Sequence, residues 1–234
     1  MPPTLYAAVK LTIKNKRSLP KERSLEEVLD SASSLVNSYF QPFLAAKFMV
    51  EGSEIKGILN VQETPRILQL IELVDLEMDP IRFYYALGVG NIKSRLDGEK
   101  IEEEGPAWTG VNRALKEMVS SGGVRDIIVK LPSPFLTRTV NTLFSIESDL
   151  RNNWSIAHRD AIKLARHGRT QVEMAELLGV TQAAVSQRLK HARWDRYQQI
   201  CETIYELLMQ ARWKMLLPWD LKNAQQGKLS QIRK

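Results

Sequence analysis

The chain is poor in the residues that cross-link or bind metals. Among 234 residues there is one cysteine, Cys201, so no intramolecular disulfide is available. Three scattered histidines beside that single thiol offer no set of ligands for a structural zinc. No cofactor or metal is expected. Also missing is any run of about eighteen apolar residues, which excludes a membrane-spanning helix. The start, Met1-Pro2-Pro3-Thr4, leads into a short apolar stretch broken by Lys10, with no small-residue cleavage pattern after it. No signal peptide is expected there, and the setting is read as cytoplasmic. Internal repeats and low-complexity tracts are absent as well.

What is present is an ordinary globular composition, 44% hydrophobic and 26% charged, with an uneven distribution of charge. Residues 155–234 hold 14 Lys/Arg against 7 Asp/Glu, a balance of +7. Residues 1–154 hold 19 against 20, a balance of −1, so the net +6 comes entirely from the C-terminal third. A localised basic surface concentrates polyanions such as DNA around itself.

The first part of the chain alternates strand and helix patterns. Leu5–Ile13 reads as a strand, and Leu25–Phe40 carries apolar residues at helical spacing. Phe43–Val50 and Ile55–Val61 read as a hairpin around Glu51-Gly52-Ser53-Glu54. Ile67–Leu76 is a helix and Ile81–Val89 a buried strand. Gly110–Val119 is a helix stopped by Ser120-Ser121-Gly122-Gly123, and Asp126–Leu131 a last strand. The order β-α-β-β-α-β with additions suggests an α+β sandwich of ferredoxin-like type, helices packed on one face. After Pro132-Ser133-Pro134 only helical patterns remain, up to Leu216. The expected organisation is an α+β domain over 1–134, an all-α domain over 135–222 and a flexible basic tail over 223–234.

Within the helical part, Thr170-Gln-Val-Glu-Met-Ala-Glu-Leu-Leu-Gly-Val-Thr-Gln-Ala-Ala-Val-Ser-Gln-Arg-Leu-Lys190 has a helix-turn-helix pattern. Thr170 and Glu173 make a capping box. Ala175 is small where two helices must approach. Gly179 suits a sharp turn with positive φ. Val180 and Val185 fill the space between the helices, Thr181 caps the second helix, and Leu189 continues its buried stripe. With Val185 and Leu189 turned inward, Ala183, Ser186, Gln187 and Lys190 point outward, with His191 beside them. Gln182, Arg188 and Arg193 fall on the flanks. Short polar side chains toward base edges and cations toward phosphates is the division expected of a recognition helix. The candidate DNA-facing set is Thr170, Gln171, Thr181, Gln182, Ala183, Ser186, Gln187, Arg188, Lys190, His191 and Arg193. The segment resembles the helix-turn-helix of sigma-factor region 4 and related regulators, over Ser155 to Trp194. A plain helical hairpin with a glycine turn is the alternative.

Past the motif, Tyr197, Cys201, Ile204, Leu208, Ala211 and Met215 follow a 4-3-4-3-4 heptad spacing. The seam is read as a homodimer contact that would place two recognition helices on paired half-sites. Packing on the chain's own N-terminal part is the alternative. Trp194, Trp213 and Trp219 are read as core or interface fillers.

The runs Phe43-Leu-Ala-Ala-Lys-Phe-Met-Val-Glu-Gly-Ser-Glu-Ile-Lys-Gly-Ile-Leu59, Arg82-Phe-Tyr-Tyr-Ala-Leu-Gly-Val-Gly90 and Gly105-Pro-Ala-Trp-Thr-Gly-Val-Asn-Arg-Ala-Leu-Lys116 resemble the SatD family, itself similar to the nucleotide-cyclase fold. The resemblance spans about residues 5–130 and implies a cyclase-like sandwich joined to the helix-turn-helix. Family members carry an aspartate at the end of the first strand and another in the hairpin. Here Lys10-Leu11 and Gly52-Ser53-Glu54-Ile55 stand in those places, leaving Glu54 alone. One carboxylate near Lys10 and Lys56 does not build a two-metal clamp. The resemblance therefore implies a non-catalytic domain, serving as a sensor of a small molecule, a dimerisation platform or a protein-binding surface. The expectation is a dimeric, sequence-specific DNA-binding transcription regulator without enzyme activity. A nucleotide-handling enzyme tethered to DNA, and an adaptor to the transcription machinery, are the alternatives.

Overall fold

A computed structural model describes residues 4–14, 19, 22–93, 101–121 and 125–210. Five strands form one mixed sheet: β1 Leu5–Ile13, β2 Leu44–Glu51, β3 Glu54–Asn60, β4 Phe83–Asn91 and β5 Ile127–Lys130. Their spatial order is β2-β3-β1-β4-β5. All neighbours are antiparallel except β4 and β5, which run parallel. Helices α1 Leu25–Phe40, α2 Ile67–Glu77 and α3 Pro106–Ser120 lie between the strands. After β5 come α4 Pro134–Asn152, α5 Ile156–Arg166, α6 Gln171–Leu178, α7 Gln182–His191 and α8 Trp194–Gln210. The architecture is thus mixed α+β with an all-α continuation. Among the described residues, no helix is long and apolar enough to cross a membrane.

The period-2 alternation of the strands sorts their side chains into two cores. Val9, Leu11, Ile55, Leu59, Phe83, Tyr85, Leu87, Ile127 and Val129 point to one face, where α1, α2, α4 and α8 cover them. Ala8, Ile58, Tyr84, Ala86 and Ile128 point to the other, against Trp108, Val111 and Leu115 of α3. The sheet therefore carries helices on both faces, which corrects the one-sided sandwich expected above. The reason is glycine in β4. A Cβ at Gly88 would stand 2.1 Å from the Ala107 carbonyl oxygen, and one at Gly90 2.9 Å from the Ala107 nitrogen. Bare backbone at both positions lets α3 lie directly on the strand.

Both sheet edges are closed by an asparagine from a helix. On β2, Asn37 of α1 accepts from the Phe48 N–H and donates to its carbonyl, both at 2.7 Å. On β5, Asn141 of α4 does the same to Val129, both at 2.8 Å. A side-chain amide mimics a neighbouring strand at each edge and blocks pairing with another chain.

The main core crosses the boundary expected at Pro134. Val140 and Phe144 of α4 and Ile200, Ile204 and Leu208 of α8 belong to the same cluster as the sheet residues. Helices α5, α6 and α7 enclose a small core built on Ala161, Met174, Ala175 and Val185, and a second small cluster of Trp154, Ile162, Ala192, Trp194 and Tyr197 joins them to α8.

Candidate nucleic-acid interface

Helices α5, α6 and α7 form a compact three-helix unit. Thr170 caps α6: its hydroxyl accepts from the Glu173 N–H at 3.3 Å, and the Glu173 carboxylate accepts from the Thr170 N–H at 2.7 Å. That N–H, joined by the Thr170 hydroxyl donating to the same oxygen at 2.9 Å, holds the Glu173 carboxyl below its ordinary range. Gly179 ends α6 with φ 61° and ψ 36°, a left-handed conformation that only glycine adopts without cost. The next N–H, on Val180, donates to Ala175 O at 3.0 Å and closes the turn. Thr181 then caps α7 by accepting from the Ala184 N–H at 3.1 Å. Each cap is worth about 1 kcal/mol against alanine. Val180, Leu178 and Leu189 pack against the small core around Val185.

Val185 is the one buried residue of α7. Gln182, Ala183, Ser186, Gln187, Lys190 and His191 are exposed along it, and Arg188 is half-buried. Thr170 and Thr181 are exposed at the two caps, Gln171 is half-buried, and Arg193 is exposed just past α7. Arg193 is also the one described non-glycine residue with positive φ, 54°, where the chain turns sharply into α8. Burial, with smaller contributions from His191 and Arg188, holds the His158 imidazole below its usual range.

The heptad seam is a different matter. Tyr197, Ile204 and Leu208 are 1%, 0% and 1% exposed within a single chain, and Cys201 is partly buried beside them. Ile204 and Leu208 fill the core over the sheet, and Tyr197 packs against Trp154 and Trp194. The seam is occupied intramolecularly, so these four residues are not a free dimer surface. Ala211, Met215, Trp213, Trp219 and the tail 223–234 lie outside the described residues. Burial pushes the Cys201 thiol up to about 12, which leaves it protonated and unreactive at neutral pH.

Arg166 at the end of α5 anchors the three-helix unit to the rest. Its guanidinium lies 5.4 Å from the Tyr197 ring centre and 5.5 Å from that of Trp194. It donates at 2.9 Å to Glu72 of α2 and to the Tyr197 hydroxyl. Trp154 adds a bond from Nε1 to the Ala192 carbonyl at 2.9 Å, which ties the end of α7 to the same box. A deeper polar network lies behind it. Arg151 pairs with Asp75, with Glu147 at 3.0 Å and with Asp126 at 3.7 Å, while Lys14 pairs with Asp126. Burial raises the Glu147 carboxyl to about 8, with the Tyr197 hydrogen bond and the Arg166 charge opposing.

At the first strand, Leu11 turns into the main core, so position 11 points away from Glu54. Lys10, 4% exposed, shares the face of Glu54. Lys10 pairs with Glu54 at 2.8 Å and Glu103 at 2.7 Å, and donates to Asn112 at 2.9 Å. Lys56 pairs with Glu51 and, at 3.4 Å, with Glu103. Two buried lysines and their own carboxylates thus fill this corner. Lys10, Lys56 and Glu54 stand out in the sequence, whereas no periodicity singles out Glu103 and Asn112. Ser53 contributes only its carbonyl, which accepts from Thr12 at 3.1 Å.

Compared with protein families, residues 6–208 match the SatD family (SatD). The chain belongs to the SatD family. Because the match runs on through α8, the helices of this SatD-family chain are part of the family's own domain. The expected fusion of a separate helix-turn-helix module to a SatD-like domain ending near residue 130 is corrected accordingly. No curated protein matches the sequence.

Proposed function

We propose that this SatD-family protein is a sequence-specific DNA-binding regulator that reads the major groove with α7. The observation that carries the reading is the contrast along α7: Val185 buried, and Gln182, Ser186, Gln187, Lys190 and His191 exposed on a helix held at fixed angle by a capped glycine turn. Supporting it are the likeness of residues 155–194 to sigma-factor region 4 and the basic balance of the C-terminal third. In this reading Gln187 pairs with an adenine edge, and Arg188 and Arg193 on the flanks meet phosphates. Paired half-sites call for a homodimer, and with the α8 seam filled the pairing surface lies elsewhere on the chain. The strand order β2-β3-β1-β4 supports a ferredoxin-like, cyclase-related ancestry for the sheet. With Lys10 and Lys56 in its corner, the sheet half acts as a cytoplasmic sensing or assembly platform without catalysis.

The test is fluorescence anisotropy with the full chain, its own upstream DNA and a random duplex of equal length. The reading expects tighter binding to the upstream DNA by tenfold or more, with affinity for both falling steeply in salt. Equal affinity for the two duplexes at every salt concentration would count against sequence-specific readout.

A further inference from the structure

Outside the helix-turn-helix, an open groove of about 930 Å³ lies beyond the carboxyl ends of the parallel strands β4 and β5. Its walls are the start of α3, the residues following β4 and β5, and the first turns of α4. Four cations line it: Lys93, Arg113, Lys130 and Arg138. No carboxylate is among the described lining residues.

The way the sheet half pairs its charge makes this cluster informative. Lys10, Lys14, Lys56, Arg66, Arg82 and Arg151 all lie against carboxylates within 4 Å. In the groove, only Lys130 is paired, to Glu117 at 2.6 Å. Lys93, Arg113 and Arg138 make no ion pair among the described residues, although their half of the chain has an acidic balance of −1. Three uncompensated cations converging on one concavity repel each other and favour an anion between them. Two of the three are arginines, whose planar donors grip phosphate oxygens in pairs. Gly110, on the α3 wall, lets α3 approach β5 closely: a Cβ there would stand 3.1 Å from the Lys130 side chain. Outside the carboxyl ends of parallel strands is also where open α/β sheets place ligands.

We infer that this groove binds a small oligophosphate, of the di- or triphosphate kind, through Arg113, Arg138 and Lys93. The site is separate from the Lys10–Glu54 corner: Leu5 pairs with Asn91, so the groove adjoins the start of β1, whereas Lys10 and Glu54 lie toward its end. The inference does not rest on DNA binding by α7.

Calorimetric titration of the full chain with tripolyphosphate, ATP and orthophosphate at fixed ionic strength tests it. Saturable binding of tripolyphosphate is expected, stronger than that of orthophosphate. The double variant Arg113→Gln, Arg138→Gln should weaken it by about tenfold or more. Both side chains are exposed and unpaired, so the variant's thermal unfolding should be unchanged. Gln187→Ala should leave tripolyphosphate binding untouched, which separates the groove from the proposed recognition helix. ATP binding as tightly as tripolyphosphate assigns recognition to the phosphate chain, and tighter binding adds a contact with the organic body; either supports the inference. No saturable binding, or equal binding by the double variant, overturns it. So does a loss of duplex DNA affinity in that variant without any tripolyphosphate binding, which would make the groove a DNA-backbone surface.

Discussion

Helices α7 and α8 are consecutive in the chain and share the same amphipathic language, yet they end up in opposite environments. In α7 the inward stripe is narrow, with Val185 alone fully buried, and the remaining faces look outward. In α8 the stripe of Trp194, Tyr197, Ile200, Ile204 and Leu208 is buried from end to end. Heptad spacing reports that a stripe will be covered, and says nothing of which surface covers it. For α8 the cover is α4 and the 3₁₀ turn Val61–Arg66, within the same chain. Among the described residues the polar face of α7 has no such cover.

The comparison can be broken hardest behind α8. Arg151→Met would leave the buried Asp75 carboxylate without its cation and Asp126 with Lys14 alone, and is expected to cost about 3–5 kcal/mol. Equilibrium urea unfolding reads this as a lower midpoint. Next comes Ile204→Ala, which empties part of the core at a fully buried position and should cost about 2–5 kcal/mol. Its m-value and sedimentation behaviour should stay as in the parent. A small stability change with loss of a dimer would return the α8 seam to a partner chain.

A gentler probe uses pH. The Glu147 carboxyl titrates near 8 in the folded chain and near 4.5 when unfolded, so between those values the folded state holds the extra proton. Stability from this group is therefore full below about pH 4.5 and declines as pH rises toward 8, then levels off. Glu147→Gln should flatten that decline, as measured by thermal unfolding at a series of pH values. An unchanged slope would mean that the Arg151 guanidinium keeps Glu147 ionised.

Much of the fold was legible because local signals were strong. Leu25–Phe40 and Leu5–Ile13 appear with the bounds their periodicity suggests, and Thr170, Gly179 and Thr181 act as caps and turn as their chemistry requires. What periodicity could not convey was long-range. Gly88 and Gly90 look like a weak strand end, but they are the seat of α3 on the second face. Leu11 was matched to a position that alternation turns into the core, so Lys10 holds the corner instead. Glu103 and Asn112 reach Lys10 across roughly a hundred residues of sequence, beyond any local pattern.

The central claim, that α7 reads bases, is tested most directly by Gln187→Ala and Arg193→Ala on cognate and random duplexes. Both residues are exposed, so each variant should stay within about 0.5 kcal/mol of the parent in stability. Gln187→Ala should lose about 1–3 kcal/mol on the cognate duplex and almost nothing on random DNA. Arg193→Ala should weaken both alike and reduce the salt slope by about one unit. Equal losses by both variants on both duplexes would contradict the assignment of α7 as the reading helix.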